Sequence, residues 1–410
     1  MNRRQFTTRT GAFLLASQAL QSNPSSAAKP DGLPPGDTGG LLGGTFSFIE
    51  NPWAFFEKNK KKYGPIFKSK LLGNKVVFLS GPEAMTLFLD EANISRAGAH
   101  PPHVVKLFGG KNVAMLDGEQ HGPLKLLIMK AFNRSALSHY VPALQNLVDT
   151  LLSQSAAQEQ FGATDALKKL AVESICTNVM GLEPGERTDA LLSDYKRIAA
   201  GMLAVPIRLP GNAYSKGIRA QKRVLAELQS IINERHNQPG EDGISRILGA
   251  QLESGRRITD SELVLELHHM VLAGYIVFAL LSELLVQMAS QPALAEAIRA
   301  ELKKSEVGET LNLEKLYTLN AMQYIIDEGK RTAPIVPAIF GVARQDFEVG
   351  PHRIPEGWGV WMALGLCNND EQVFAKPEQF DPTRFAPGRA EHKSHPHAFM
   401  PQGSGPVQGH

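Results

Sequence analysis

Residues 259–291 constrain this fold more than any other stretch of the sequence. They open Thr259-Asp260-Ser261-Glu262, a capping-box pattern in which each of the two outer side chains satisfies the other's free backbone N–H. No proline interrupts the helical pattern before Pro292. Its middle is apolar on nearly every face, the mark of a helix that passes through a core. The most apolar part, residues 270–281, is shorter than the roughly 18 residues a membrane-spanning helix needs. No transmembrane span is expected, and the helix is read as a buried one.

Around it the chain alternates short strand-like pieces with long helical ones. Residues 76–80 (VVFLS) form a β-rich run, and Gly81-Pro82-Glu83 starts a helix. From about residue 136 to 237 the pattern is largely helical, broken at Leu209-Pro210-Gly211. A second strand-rich patch spans 334–360, with turns at Gly350-Pro351 and Pro355-Glu356-Gly357. There is no repeat of solenoid period. The fold class expected is mainly α with a minor β-sheet region.

Composition removes several function classes. Net charge is +2 with the basic residues scattered, so no nucleic-acid partner is expected. The two cysteines, Cys176 and Cys367, form no CxxC pair and read as small core residues. Histidines occur at 100, 103, 268, 269, 392, 395 and 397, but none stands in an HExxH pattern, and neighbours His268 and His269 cannot share a helix face.

The first residues read as an address. Arg3 and Arg4 precede a short, weakly apolar run and then small residues ending Ser26-Ala27-Ala28. That is the layout of a twin-arginine export signal over residues 1–28, with 29–44, rich in Pro and Gly, as a linker. The expectation is an exported, periplasmic protein; the alternative is a basic tail on a cytoplasmic one.

Four separated motifs carry the functional reading. Glu328-Gly329-Lys330-Arg331 puts a carboxylate and a guanidinium three residues apart on one helix face. Phe380-Asp381-Pro382-Thr383-Arg384-Phe385 follows about fifty residues later. His121 and Lys125 stand one helical turn apart, cationic or donor groups of the kind a carboxylate-bearing ligand needs. The last residues, from Phe399 through Gly403 and Gly405 to His410, form a glycine-rich turn. Together these resemble the haem-thiolate oxygenases of the cytochrome P-450 superfamily, and they span nearly the whole chain after the leader.

The resemblance implies the cytochrome P-450 fold over residues 45–410 and haem (iron protoporphyrin) as cofactor. It implies that Glu328, Arg331 and Arg384 form a structural triad bracing the haem loop, with His121 and Lys125 at the haem propionates. Phe399, Gly403, Gly405 and His410 would open that loop. The axial cysteine is expected just after His410, so the domain is read as incomplete there and no metal ligand lies in the chain itself. The segment 209–219 and the strand around Trp358 resemble members that act on retinoid- or sterol-like lipids. A lipophilic small-molecule substrate is expected, in a pocket lined by Met270, Leu272 and Phe278.

Two departures matter. The oxygen-binding helix of the family carries an acid followed by a threonine, a pair that supplies protons for oxygen activation. Here the matching stretch is Ala273-Gly274-Tyr275-Ile276-Val277, and neither Ile276 nor Val277 can donate a proton. The resemblance therefore leaves two oxidant systems open, an electron-transfer partner with dioxygen or hydrogen peroxide. Gly341 stands where relatives often place an arginine for a propionate. The competing class is a non-catalytic lipid-binding or degenerate haem protein without the thiolate.

Overall fold

The computed structural model describes residues 32–402, apart from 38, 41–42, 72, 161 and 306–310. The chain divides into two compact units, one made of residues up to 100 with 330 onward, the other of residues 101–329.

The first unit opens with β1 (Gly36–Asp37), α1 (Thr45–Glu50) and α2 (Pro52–Tyr63). Asn51 caps α2 by accepting the Ala54 N–H, with Pro52 at the first helical position where no donor is missed. Strands β2 (Phe67–Leu71) and β3 (Asn74–Leu79) pair as an antiparallel hairpin. Gly73 at its turn has φ 86°, a left-handed conformation that favours glycine. Helix α3 (Pro82–Phe88) and the short strand β4 (Ile94–Ser95) follow.

The second unit is helical. Its elements are α4 (Pro102–Leu107), α5 (Gly118–Ile128), α6 (Arg134–Ala156), α7 (Ala163–Met180), α8 (Glu186–Met202) and α9 (Ala213–Asn237). Then come α10 (Gly243–Gly249), α11 (Asp260–Ile276), α12 (Phe278–Ser290), α13 (Pro292–Lys304), α14 (Leu313–Leu316) and α15 (Asn320–Thr332). Asn133, Asn212 and Asp242 each accept a third-residue backbone N–H and so cap α6, α9 and α10. The capping box at Thr259 forms: Thr259 N–H donates to Glu262 Oε2 at 2.9 Å and Glu262 N–H to Thr259 Oγ1 at 3.2 Å.

α11 packs against α7 and α9, and Leu263, Leu267 and Val271 stand at 0% exposure in the helical core. The long helix expected from 259 to 291 is interrupted at Val277, whose N–H reaches the Gly274 carbonyl at 3.1 Å, a three-residue step. A glycine followed closely by two β-branched residues, Ile276 and Val277, weakens the regular four-residue ladder there.

One expectation needs correcting. Taken as one run, Asp260–Ser290 is long and apolar enough to cross a membrane by length and composition, which the span 270–281 alone did not show. Its first part, α11, contacts α7 and α9 and buries Glu266 and His268, whereas α12 buries only Leu280 and Leu284.

The chain then returns to the first unit through β5 (Ala338–Ala343), β6 (Phe347–Val349), β7 (His352–Ile354), β8 (Gly359–Ala363) and α16 (Leu364–Asn368). The larger sheet is ordered β1-β2-β3-β8-β5-β4, and β6 with β7 forms a separate hairpin. β3 and β8 run parallel, with Phe78 opposite Trp361. Phe55, Phe56, Phe67, Phe78 and Trp361 make one aromatic cluster against this sheet, Phe67 stacked on Phe78 at 5.0 Å. Gly365 is required where α16 meets α2: a Cβ there would lie 2.1 Å from the Trp53 ring.

Candidate active site

Two arginines define the centre of the first unit. Arg331, near the end of α15, and Arg384, in the single 3-10 turn Pro382–Phe385, are at 0% and 1% exposure. A buried guanidinium costs several kcal/mol unless every donor is met. Arg331 donates to the carbonyls of Asn368 (2.9 Å), Pro377 (2.8 Å) and Gln379 (3.2 Å) and to Asn369 Oδ1 (3.1 Å). Arg384 donates to the carbonyls of Ala375 (2.9 Å) and Gln379 (3.0 Å) and to the Glu391 carboxylate (2.7 Å). Both guanidinium groups lie over the Phe374 ring, at 5.2 and 5.9 Å. Burial would raise the Glu391 carboxyl, but Arg389 and Arg384 hold it below its ordinary range. Glu328, one turn before Arg331 on α15, is at 0% exposure.

Asn368 extends this brace to the chain tail. Arg331 fixes its backbone carbonyl, and its side chain clips Met400 from both sides. Its Nδ2 donates to the Met400 carbonyl and its Oδ1 accepts the Met400 N–H, each at 2.9 Å. Next to it, the rings of Phe399 and Phe385 meet edge-on at 5.1 Å. Arg331, Arg384, Asn368 and the start of the expected haem loop are thus one bonded assembly. Gly403, Gly405, His410 and the ligand position expected beyond it lie outside the described residues, as do residues 1–28 and part of the linker.

In the second unit, α5 carries His121, at 5% exposure, and Lys125 one turn on. On α11, Ala273 is exposed, while Gly274 packs so closely on α7 that a Cβ would lie 2.7 Å from Ile175 Cγ1. Ile276 and Val277 fall at the helix interruption and offer no titratable or hydroxyl group. Met270 and Leu272, expected in the pocket, belong to the helical core, and Phe278 packs against it under the Lys168 ammonium at 4.7 Å.

His268 and His269 separate as neighbours on a helix must. His268 is buried, with Nε2 2.9 Å from the Leu107 carbonyl and Nδ1 3.2 Å from the Tyr195 hydroxyl. Burial lowers it to about 4, so the ring is neutral and acts as a strut. Sequence reasoning passed over Glu266, a lone carboxylate in the apolar run LVLELHHM. It is at 1% exposure, and its Oε1 accepts the Val113 N–H at 2.6 Å. The available signal was a charge at a core position of a helix, which needs a partner or a job. Asn368 carried no such signal, because its partners are the Met400 backbone and the distant Arg331, and neither did Glu391, whose burial beside Arg384 and Arg389 depends on tertiary packing.

Neither cysteine is a thiolate. Burial pushes both Cys176 and Cys367 up to about 12, and the Cys367 thiol donates to the Ala363 carbonyl at 3.1 Å. No group of three or more His, Cys, Asp or Glu suited to a metal occurs among the described residues. Gly341 has a steric reason: a Cβ would lie 2.5 Å from Ile94 Cγ2 and 3.0 Å from the Val360 carbonyl, so no arginine fits there.

Residues 34–408 match the family model for cytochrome P-450. Abscisic acid 8'-hydroxylase 2 of Arabidopsis thaliana is 28% identical over 387 residues, 91% of this chain and 79% of that protein. Ent-kaurenoic acid oxidase 1 of the same plant is 28% identical over 400 residues, 91% and 80% of the two chains. Among solved structures, the retinoic acid-bound cyanobacterial CYP120A1 superposes with a TM-score of 0.84 at 27% identity, covering 92% of this chain and 87% of that one.

The residues present fit an iron porphyrin. Two wholly buried arginines and Asn368 hold the opening of the expected ligand loop rigid. In the second unit, His121 and Lys125 on α5 are donors of the chemical kind that propionates would take. The exposed Ala273 keeps side-chain bulk off its face of α11, whereas Gly274 faces α7. The chain belongs to the cytochrome P-450 family of haem-dependent oxidoreductases.

Proposed function

We propose that this protein oxidises a lipophilic carboxylic acid at its haem, with hydrogen peroxide as oxidant. One observation carries the oxidant: at the break between α11 and α12 the side chains are Ile276 and Val277, which neither hold nor pass a proton. Dioxygen chemistry needs two protons and two electrons from outside. Peroxide brings its oxygen atom and both electrons with it, so that R–H and H2O2 give R–OH and water. The substrate class rests on relatives whose names or bound ligand are abscisic, kaurenoic and retinoic acids.

Haem, when bound, supplies the redox and oxygen chemistry. This chain's residues do the rest. Arg331, Arg384 and Asn368 brace the opening of the expected ligand loop; His121 and Lys125 would hold the haem propionates; the α11 face at Ala273 would leave room for substrate. The family membership supports catalysis over a purely lipid-binding role.

The test compares haem-loaded protein given retinoic acid and hydrogen peroxide with the same protein given dioxygen, NADPH and a ferredoxin–reductase pair. Turnover with peroxide alone is the expected result. Turnover only with the electron-transfer pair would overturn the peroxide reading.

We further propose that residues 1–28 direct export through Arg3 and Arg4. A periplasmic location deprives the enzyme of nicotinamide cofactor, which agrees with a peroxide oxidant. Replacing both arginines by lysine should keep the protein in the cytoplasmic fraction; unchanged export would contradict the assignment.

A further inference from the structure

Glu266 is a buried, ionisable side chain on α11 that the site above leaves without a task. It is at 1% exposure on α11, and only one of its oxygens is used, by the Val113 N–H. Its other oxygen, Oε2, has no hydrogen-bond partner and stands 3.6 Å from His269 Nδ1. An ionisable group buried with a vacant acceptor is costly, and such groups cluster where protons move.

Glu266 also lines a cavity of 370 Å³, walled by Lys111, Glu119, Gln120, Arg256 and Glu262. Leu116 and Leu124 complete the wall, and the charged groups and the size suit water. The charged groups facing it come from the segment after α4 (Lys111), from α5 (Glu119), from the residues before α11 (Arg256) and from α11 itself (Glu262). Arg256 is paired with Glu262 at 2.7 Å. His268 faces the other way, onto Tyr195 and Leu107.

The helix carries the argument onward. Glu262, Glu266, His269, Ala273 and Ile276 are spaced by four, three, four and three residues, so they share one face of α11. From Glu266 to Ala273 the rise is about 10 Å. The stripe leads from the polar cavity to the two positions where the acid and hydroxyl are missing.

We infer that Glu266 and His269 form a proton-exchange pair towards the haem's substrate side, which shuttles the one proton that the peroxide reaction moves and is not the outside supply of two that dioxygen needs. In the peroxide reaction the pair accepts, through water, the proton that peroxide gives up. It returns that proton to the departing oxygen, which leaves as water, so no net proton is consumed. This inference rests on the reading that the α11 face at Ala273 borders the haem.

The test uses Glu266→Gln and Glu266→Asp in the haem-loaded protein. Glutamine keeps an acceptor for the Val113 N–H, so the helix contact survives. The first readout is the NMR resonances of the His269 ring at fixed pH, assigned by their loss in His269→Asn. Removing the carboxylate 3.6 Å from Nδ1 should shift them in E266Q and leave them near their original positions in E266D. The second is the pH profile of turnover, where E266Q should lose on the order of tenfold and E266D should recover part of it.

If the unaltered protein turns over only with dioxygen and electron donors, the peroxide reading fails and the same two readouts are taken under those conditions. Unshifted His269 resonances in E266Q overturn the pair. So do shifted resonances with an unmoved pH profile, since the pair would then be structural only.

Discussion

At the scale of single residues, Asn368 links two parts of the first unit that the sequence keeps far apart. Its carbonyl is held by Arg331, and its side chain copies a strand partner for Met400, bonding both the N–H and the carbonyl. Asn368→Ala should leave both Met400 groups buried and unmet, a loss of about 2 kcal/mol or more, read by chemical denaturation. Haem retention should fall with it; a variant of unchanged stability would refute the clip. His268 gives a second prediction. Burial holds it near 4, below its ordinary 6.5, so the unfolded chain binds this proton more readily than the folded one. Stability should therefore be full above about pH 6.5 and fall as pH drops towards 4, by at most about 3 kcal/mol from this group. His268→Gln should flatten that part of the denaturation profile, and parallel profiles would contradict it. The arginines of this account were legible in the sequence because their spacing is diagnostic. Asn368 and Glu266 were not, because burial and the identity of a partner arise only when distant segments meet.

At the scale of elements, α11 was the most legible and also the one most revised. Its start was readable from Thr259 and Glu262, whose side chains close the box as expected. Thr259→Ala should cost about 1 kcal/mol. Its interruption at Val277 was not foreseen, since no proline marks it; two β-branched residues after a glycine suffice. Gly274 matters for packing as well as for the family pattern. A side chain there meets Ile175 on α7, so Gly274→Val should destabilise the helical unit by about 1–3 kcal/mol, seen as a lower denaturation midpoint. A neutral result would mean that α7 yields at Ile175. Gly341 follows the same logic on β5, where Ile94 and Val360 leave no room for the arginine of relatives. Met270, Leu272 and Phe278 show the limit of reading apolar helix residues by composition: which apolar face meets a neighbouring helix and which meets a ligand depends on tertiary contacts.

At the scale of the molecule, a mainly helical fold with a minor sheet region was readable from helical periodicity and two strand-rich patches; the division into two compact units and the sheet order were not. β3 lies beside β8 although nearly the whole helical unit separates them in sequence, a pairing that no local pattern announces. The family assignment did not depend on that detail, because the motifs that support it sit on single helices and turns. The peroxide oxidant is the central proposal, and it is argued from two side chains, Ile276 and Val277, that carry no proton donor. Isotopic labelling tests it most directly: haem-loaded protein is given 18O-labelled hydrogen peroxide under ordinary dioxygen, and the oxidised product is analysed by mass spectrometry. The account predicts that the inserted oxygen carries the peroxide label. Product bearing only unlabelled oxygen from dioxygen would contradict it.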